Sequence, residues 1–178
     1  DVTETPRWLA LLGLILFMGC APRGMSNPSI LELERSAARP LPSSDFTALE
    51  QLLVEDFQDN GRLDRLTLAQ ASLVVSGATD KETLLSWQGR YEEVRRLVAE
   101  RIARERPSTQ EAQARAVFQE LHDTVFADYS ATQSSVLTVL EDGAYNCVSS
   151  TLLFNSLLED LNIRTAAVEL PTHTYSVI

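Results

Sequence analysis

Asp142-Gly143-Ala144-Tyr145-Asn146-Cys147-Val148-Ser149-Ser150-Thr151-Leu152-Leu153-Phe154, followed by Val168-Glu169-Leu170-Pro171-Thr172-His173-Thr174-Tyr175, decides the fold. Asn146 has the short polar side chain that suits a helix N-cap, which makes Cys147 the first helical position. Behind it Val148, Leu152, Leu153, Leu157 and Leu161 recur at helical spacing, with Phe154 and Leu158 widening the stripe. This helix is therefore expected to be buried on most of its circumference. Asn162 tolerates the left-handed conformation and is expected to end it. From Ile163 the period shortens: Ala166–Leu170 reads as one strand and Thr174–Ile178 as a second, with Pro171-Thr172 at the junction and His173 entering the second strand.

A thiol is a poor nucleophile until it loses its proton. Two things favour that loss, the unpaired amides and positive dipole end of a helix and an imidazole that accepts the proton. Cys147 at a helix start with His173 on a strand over it supplies both. A lone buried cysteine is ordinarily just a small hydrophobe, so the histidine carries the weight. Ser149 and Ser150 read as first-turn helix residues, because no Gly-x-Ser-x-Gly elbow surrounds them. Tyr145 reads either as lining the site or as a packing aromatic. His122, between Leu121 and Asp123, reads as part of an exposed helix face.

These two motifs together resemble the transglutaminase-like superfamily of cysteine-dependent acyl-transfer folds, related in architecture to papain-like peptidases. The resemblance covers roughly residues 107–178. It implies that Cys147 is the nucleophile and His173 the general base, with an Asp or Asn on a following strand to orient the imidazole. Asn146 and Tyr145 beside the cysteine are the expected oxyanion or site-lining residues. The Cys147 backbone N–H at the helix start is a further oxyanion candidate. The chain begins with Asp1 and ends at Ile178, shortly after His173. A fragment lacking the orienting residue is therefore expected, and with it a large loss of rate.

The N-terminal end carries a second signal. Trp8 to Met18 is an uncharged apolar run of signal-peptide length, too short to cross a bilayer, with Arg7 before it. Leu16-Phe17-Met18-Gly19-Cys20 resembles a bacterial lipoprotein box, which implies that Cys20 becomes the lipid-bearing mature N-terminus and that acyl chains hold the domain to a membrane. Ala21-Pro22-Arg23-Gly24 and the Ser/Pro-rich stretch beyond read as a tether. By the same resemblance the protein is expected in the bacterial cell envelope, on the periplasmic face, with Ala21 in place of an acid pointing to the outer membrane. With Cys20 lipidated, Cys147 is left as a free thiol.

Composition sets outer limits. The formal net charge is −10, and the arginines are interleaved with acids, as in Arg90-Tyr91-Glu92-Glu93-Val94-Arg95-Arg96, so no concentrated positive patch exists for nucleic acid. No Gly-rich phosphate loop, His-Glu-x-x-His helix or Cys-x-x-Cys pair is present, so neither a metal nor another cofactor is expected. Between tether and site the pattern is helical. One helix starts at Ser44 or Asp45 and ends near Asn60-Gly61, and a second spans Leu63 to Val75. A long helix follows Thr79-Asp80-Lys81-Glu82 and stops before Pro107, another follows Ser108-Thr109-Gln110-Glu111, and a short one around Val136 to Leu140 ends at Gly143.

The expected protein is α+β: a signal peptide at 1–19, a tether at 20–44, a helical region at 45–106 and a C-terminally incomplete transglutaminase-like core at 107–178. The expected function is an envelope-anchored enzyme that hydrolyses or transfers an amide or peptide acyl group from a protein or peptide substrate. The alternative is a non-catalytic lipoprotein scaffold that keeps the fold to bind a partner.

Overall fold

A computed structural model describes residues 46–178; the signal, lipid-box and tether expectations, Cys20 among them, lie outside the described residues. The described residues form a mixed helical and stranded structure. Its elements are α1 (Ala48–Asn60), α2 (Leu68–Val75), α3 (Lys81–Glu105), α4 (Gln110–Thr124), β1 (Asp128–Tyr129), α5 (Val136–Asp142), β2 (Ala144–Tyr145), α6 (Cys147–Asp160), β3 (Ala166–Leu170) and β4 (His173–Val177). None of these helices is long and apolar enough to cross a membrane.

Helix α6 is the centre of the packing. Leu152, Leu153, Leu157 and Leu158 are each at most 2 % exposed, and even its polar residues Ser149, Thr151, Asn155 and Ser156 are buried. A helix buried nearly all round must be enclosed, and burying each leucine contributes roughly 1.5–3 kcal/mol. Helices α2, α4 and α5 and the β3–β4 hairpin enclose it. Its C-terminal acids fasten the shell: Glu159 accepts from the Leu68 amide at 3.2 Å, and Asp160 accepts from the Tyr91 hydroxyl at 2.8 Å. Burial and the Asp160 carboxylate together push the Tyr91 hydroxyl well above its ordinary titration range. Arg101 of α3 ties that helix to Glu120 and Asp123 of α4 at 3.1 and 2.8 Å.

Local signals explain most boundaries. Thr47, Thr67, Asp80, Thr109, Ser135 and Asn146 each cap the helix that follows with a side-chain oxygen. Helix α3 ends in left-handed Arg106 before Pro107, and Asn162 after α6 is left-handed with φ 58°. The second helix begins later than its apolar pattern suggests, at Leu68 rather than Leu63. The reason is Asp56, whose carboxylate accepts from the amides of Asp64, Arg65 and Leu66 at 2.9–3.1 Å and holds 61–66 as a loop.

Two small sheets complete the fold. The β3–β4 hairpin pairs Leu170 with His173 across the Pro171-Thr172 turn and Ala166 with Val177 at its far end. Strands β1 and β2 are parallel, with Asp128 opposite Ala144 and Tyr129 opposite Tyr145. A parallel pair needs a crossover, and α5 supplies it. Gly143, at φ 79°, closes α5 and brings β2 against residues 125–127, where the Ala127 amide donates to the Gly143 carbonyl at 2.9 Å.

Candidate functional site

Cys147 is the first residue of α6 and is half-buried. Four amides at a helix start have no intrahelical acceptor. Asn146 caps two of them: its Oδ1 accepts from Val148 and Ser149 at 2.9 and 3.0 Å. Ser150 donates from its amide to the Asn146 carbonyl at 3.0 Å. The Cys147 amide makes no hydrogen bond among the described residues, so the donor left free at the helix mouth belongs to the cysteine itself.

Asn146 is only 4 % exposed, and its Nδ2 donates to the Ala131 carbonyl at 3.2 Å and to Ser134 Oγ at 2.9 Å. Both amide protons are thus committed to the 130–135 loop, and neither is free for a substrate oxyanion. Asn146 acts through position. Ser149 completes the latch by accepting from the Asn146 amide at 3.0 Å and donating to the Gln133 carbonyl at 2.9 Å. The loop is thereby held to the start of α6.

His173 opens β4, and β4 lies along α6. One bond between them runs from the Thr151 hydroxyl, one turn after Cys147, to the Thr174 carbonyl at 3.5 Å. Along β4 Thr174 is buried, whereas its neighbours His173 and Tyr175 are exposed. Their rings share one face of the strand, with centroids 6.3 Å apart. The fold therefore brings the cysteine helix and the histidine strand together, but the imidazole lies on the outward face and makes no hydrogen bond with Cys147 Sγ.

Tyr145 sits at the end of β2, two residues before Cys147, stacked on Phe126 with centroids 4.4 Å apart at 21°. Around this pair stand His122, 6.1 Å from Tyr145 and 5.1 Å from Phe126, and Tyr129, edge-on to Tyr145 at 5.7 Å. His122, expected on an exposed helix face, is exposed on α4 and also belongs to this aromatic group, which the sequence alone does not reveal. The only signal was the i, i+4, i+8 spacing of Phe118, His122 and Phe126. Among the described residues no three His, Cys, Asp or Glu side chains converge as a metal site would require.

No protein-family model, curated protein or solved structure matches the chain.

Proposed function

We propose that the chain carries the cysteine part of a transglutaminase-like acyl-transfer centre. Cys147 Sγ attacks a carboxamide or peptide carbonyl, the Cys147 amide donates to the oxyanion, and His173 takes the thiol proton and returns it to the leaving amine. A thioester forms, and water or a second amine resolves it. The observation that carries the proposal is the α6 mouth, where the cap covers the next two amides and leaves the nucleophile's own N–H uncommitted. His173 stands at the hairpin end beside the Pro171-Thr172 turn, so rearrangement there, rather than along the whole strand, brings the imidazole inward. Catalytic hydrogen bonds commonly tighten only when substrate is bound. The test is acyl trapping: an activated ester should leave an acyl group on Cys147, seen by peptide mass mapping, and Cys147→Ala should abolish it. An unmodified Cys147, or equal labelling of serines, overturns the proposal.

The second reading is a scaffold that retains the fold for partner binding. The exposed, outward His173 ring favours it. For either reading we place the protein in the envelope through lipid on Cys20, with Cys20→Ala expected to release it from membranes.

A further inference from the structure

Exposed apolar side chains are ordinarily scattered, and a run of packed aromatic rings that is half-buried against the core in the middle and opens to the surface at its ends calls for a reason. Phe118 lies 4.4 Å from His122 by ring centroids and 6.4 Å from Phe154, His122 joins it to Phe126 and Tyr145, and Tyr145 in turn meets Tyr129. The row draws on α4, α6, β1, β2 and the segment after α4, so it is a feature of the tertiary fold. Its two ends are open: Phe118 is 52 % exposed and Tyr129 62 %.

The charge near the row is uneven: acidic residues cluster in sequence toward the Tyr129–Tyr145 end. From Ala116 to Ile163 the sequence has no Lys or Arg and seven acidic residues. Four of these are engaged by Arg101, the Leu68 amide or the Tyr91 hydroxyl. Asp128, Glu141 and Asp142 remain exposed. Asp128 precedes Tyr129 and faces Ala144 across the parallel pair, and Asp142 accepts from the Ala144 amide at 3.0 Å. Two exposed carboxylates thus lie within three positions of Tyr129 or Tyr145 along the chain, while Arg115 lies one turn before Phe118 at the opposite end.

We propose that this row, from Phe118 to Tyr145, is the docking surface for a cationic polypeptide segment in which basic and bulky apolar side chains alternate. Aromatic faces attract ammonium and guanidinium groups and bury apolar side chains, and the exposed carboxylates draw positive charge and repel acidic chains. Tyr145 stands two residues before Cys147 in the chain, so a segment bound to the row lies beside the α6 mouth. Docking requires no chemistry at Cys147, and it stands or falls separately from the acyl-transfer proposal.

The experiment measures fluorescence anisotropy of short labelled peptides with the full chain and with the chain carrying Cys147→Ser. The probes alternate Lys with Phe, Glu with Phe, or Lys with Ser. The Lys/Phe peptide should bind both proteins equally, and the other two at least about tenfold more weakly. Tyr129→Ala and Phe118→Ala, both at exposed positions, should each weaken binding about fivefold, the worth of one exposed cation–π contact. Asp128→Asn should flatten the dependence on salt. Equal binding of Lys/Ser and Lys/Phe peptides, insensitive to Tyr129→Ala, would show diffuse charge attraction and overturn the proposal. Equal binding of the Glu/Phe peptide, or no binding by any probe, overturns it too.

Discussion

Gly143→Ala tests how tightly the approach to the site is built. Gly143 has φ 79°, a left-handed conformation that costs an L-residue about 1–2 kcal/mol. An added Cβ would also come within 2.5 Å of the Val125 carbonyl oxygen, 2.9 Å of Ala127 Cβ and 3.0 Å of the Ala127 nitrogen. Two of those atoms are backbone and cannot swing aside, so the 125–127 segment must move away from β2. Overpacking of this kind costs about 1–3 kcal/mol. Together the two effects predict a loss of roughly 2–5 kcal/mol. Gly61 is the control: its φ is 72°, but nothing lies within 4 Å of a Cβ there, so Gly61→Ala should cost only about 1–2 kcal/mol. Urea unfolding followed by circular dichroism measures both, with the slope checked for constancy. A Gly143→Ala loss no larger than that of Gly61→Ala refutes the close approach of β2 to residues 125–127.

Other positions give equally direct tests. Burial alone would raise the Asp56 carboxyl, but the amides of Arg65, Asp64 and Leu66, with the Arg65 guanidinium, outweigh it and hold it below its ordinary value of 3.8. Its contribution is therefore complete above that value and is lost as pH falls through the lower folded value. Asp56→Asn turns an amide toward donor N–H groups and should cost about 1–3 kcal/mol at pH 7, with the gap to the parent narrowing below about pH 4 in urea titrations. Asn146→Ala removes a cap and both loop bonds, so it should cost about 2 kcal/mol and speed amide hydrogen exchange across residues 130–135; unchanged exchange there would sink the latch. Tyr91→Phe should lose about 1 kcal/mol, the net worth of the bond to Asp160; no loss would show that the bond does not hold α3 to α6.

The helix that begins at Cys147 was legible because its signals are local: a cap residue, a continuous apolar stripe and a left-handed Asn162 all lie within the segment itself. The same holds for the hairpin, whose strands match their alternating runs to within a residue. The β1–β2 pair was not legible. Each strand has two residues, too few for a period, and their pairing depends on a crossover through α5. Residues 63–66 carry a helical pattern yet form loop, because their organiser, Asp56, lies a full segment earlier.

The outward placement of His173 has a more general cause. Alternation fixes which residues share a face but leaves open which face meets the neighbour. His173, Tyr175 and Val177 form the larger, more apolar set, and apolarity alone would turn them inward. Instead Thr174 is buried against α6, where the Thr151 hydroxyl meets its carbonyl, and Tyr175 and Val177 stay 41 % and 45 % exposed. The latch of Asn146 and Ser149 on the 130–135 loop was likewise hidden. A serine in the reciprocal capping position resembles any other first-turn residue until the loop that it holds is in view.

The most direct measurement is the rate at which iodoacetamide alkylates Cys147 at pH 7, in the parent chain and in His173→Ala, with equal thermal unfolding curves confirming that both are folded. If the sulfur at the α6 mouth is activated by the imidazole of the adjoining strand, the parent should react at least about tenfold faster than an unstructured cysteine peptide, and His173→Ala should remove most of that advantage. Identical rates in the two folded chains would contradict the pairing on which the proposed chemistry depends.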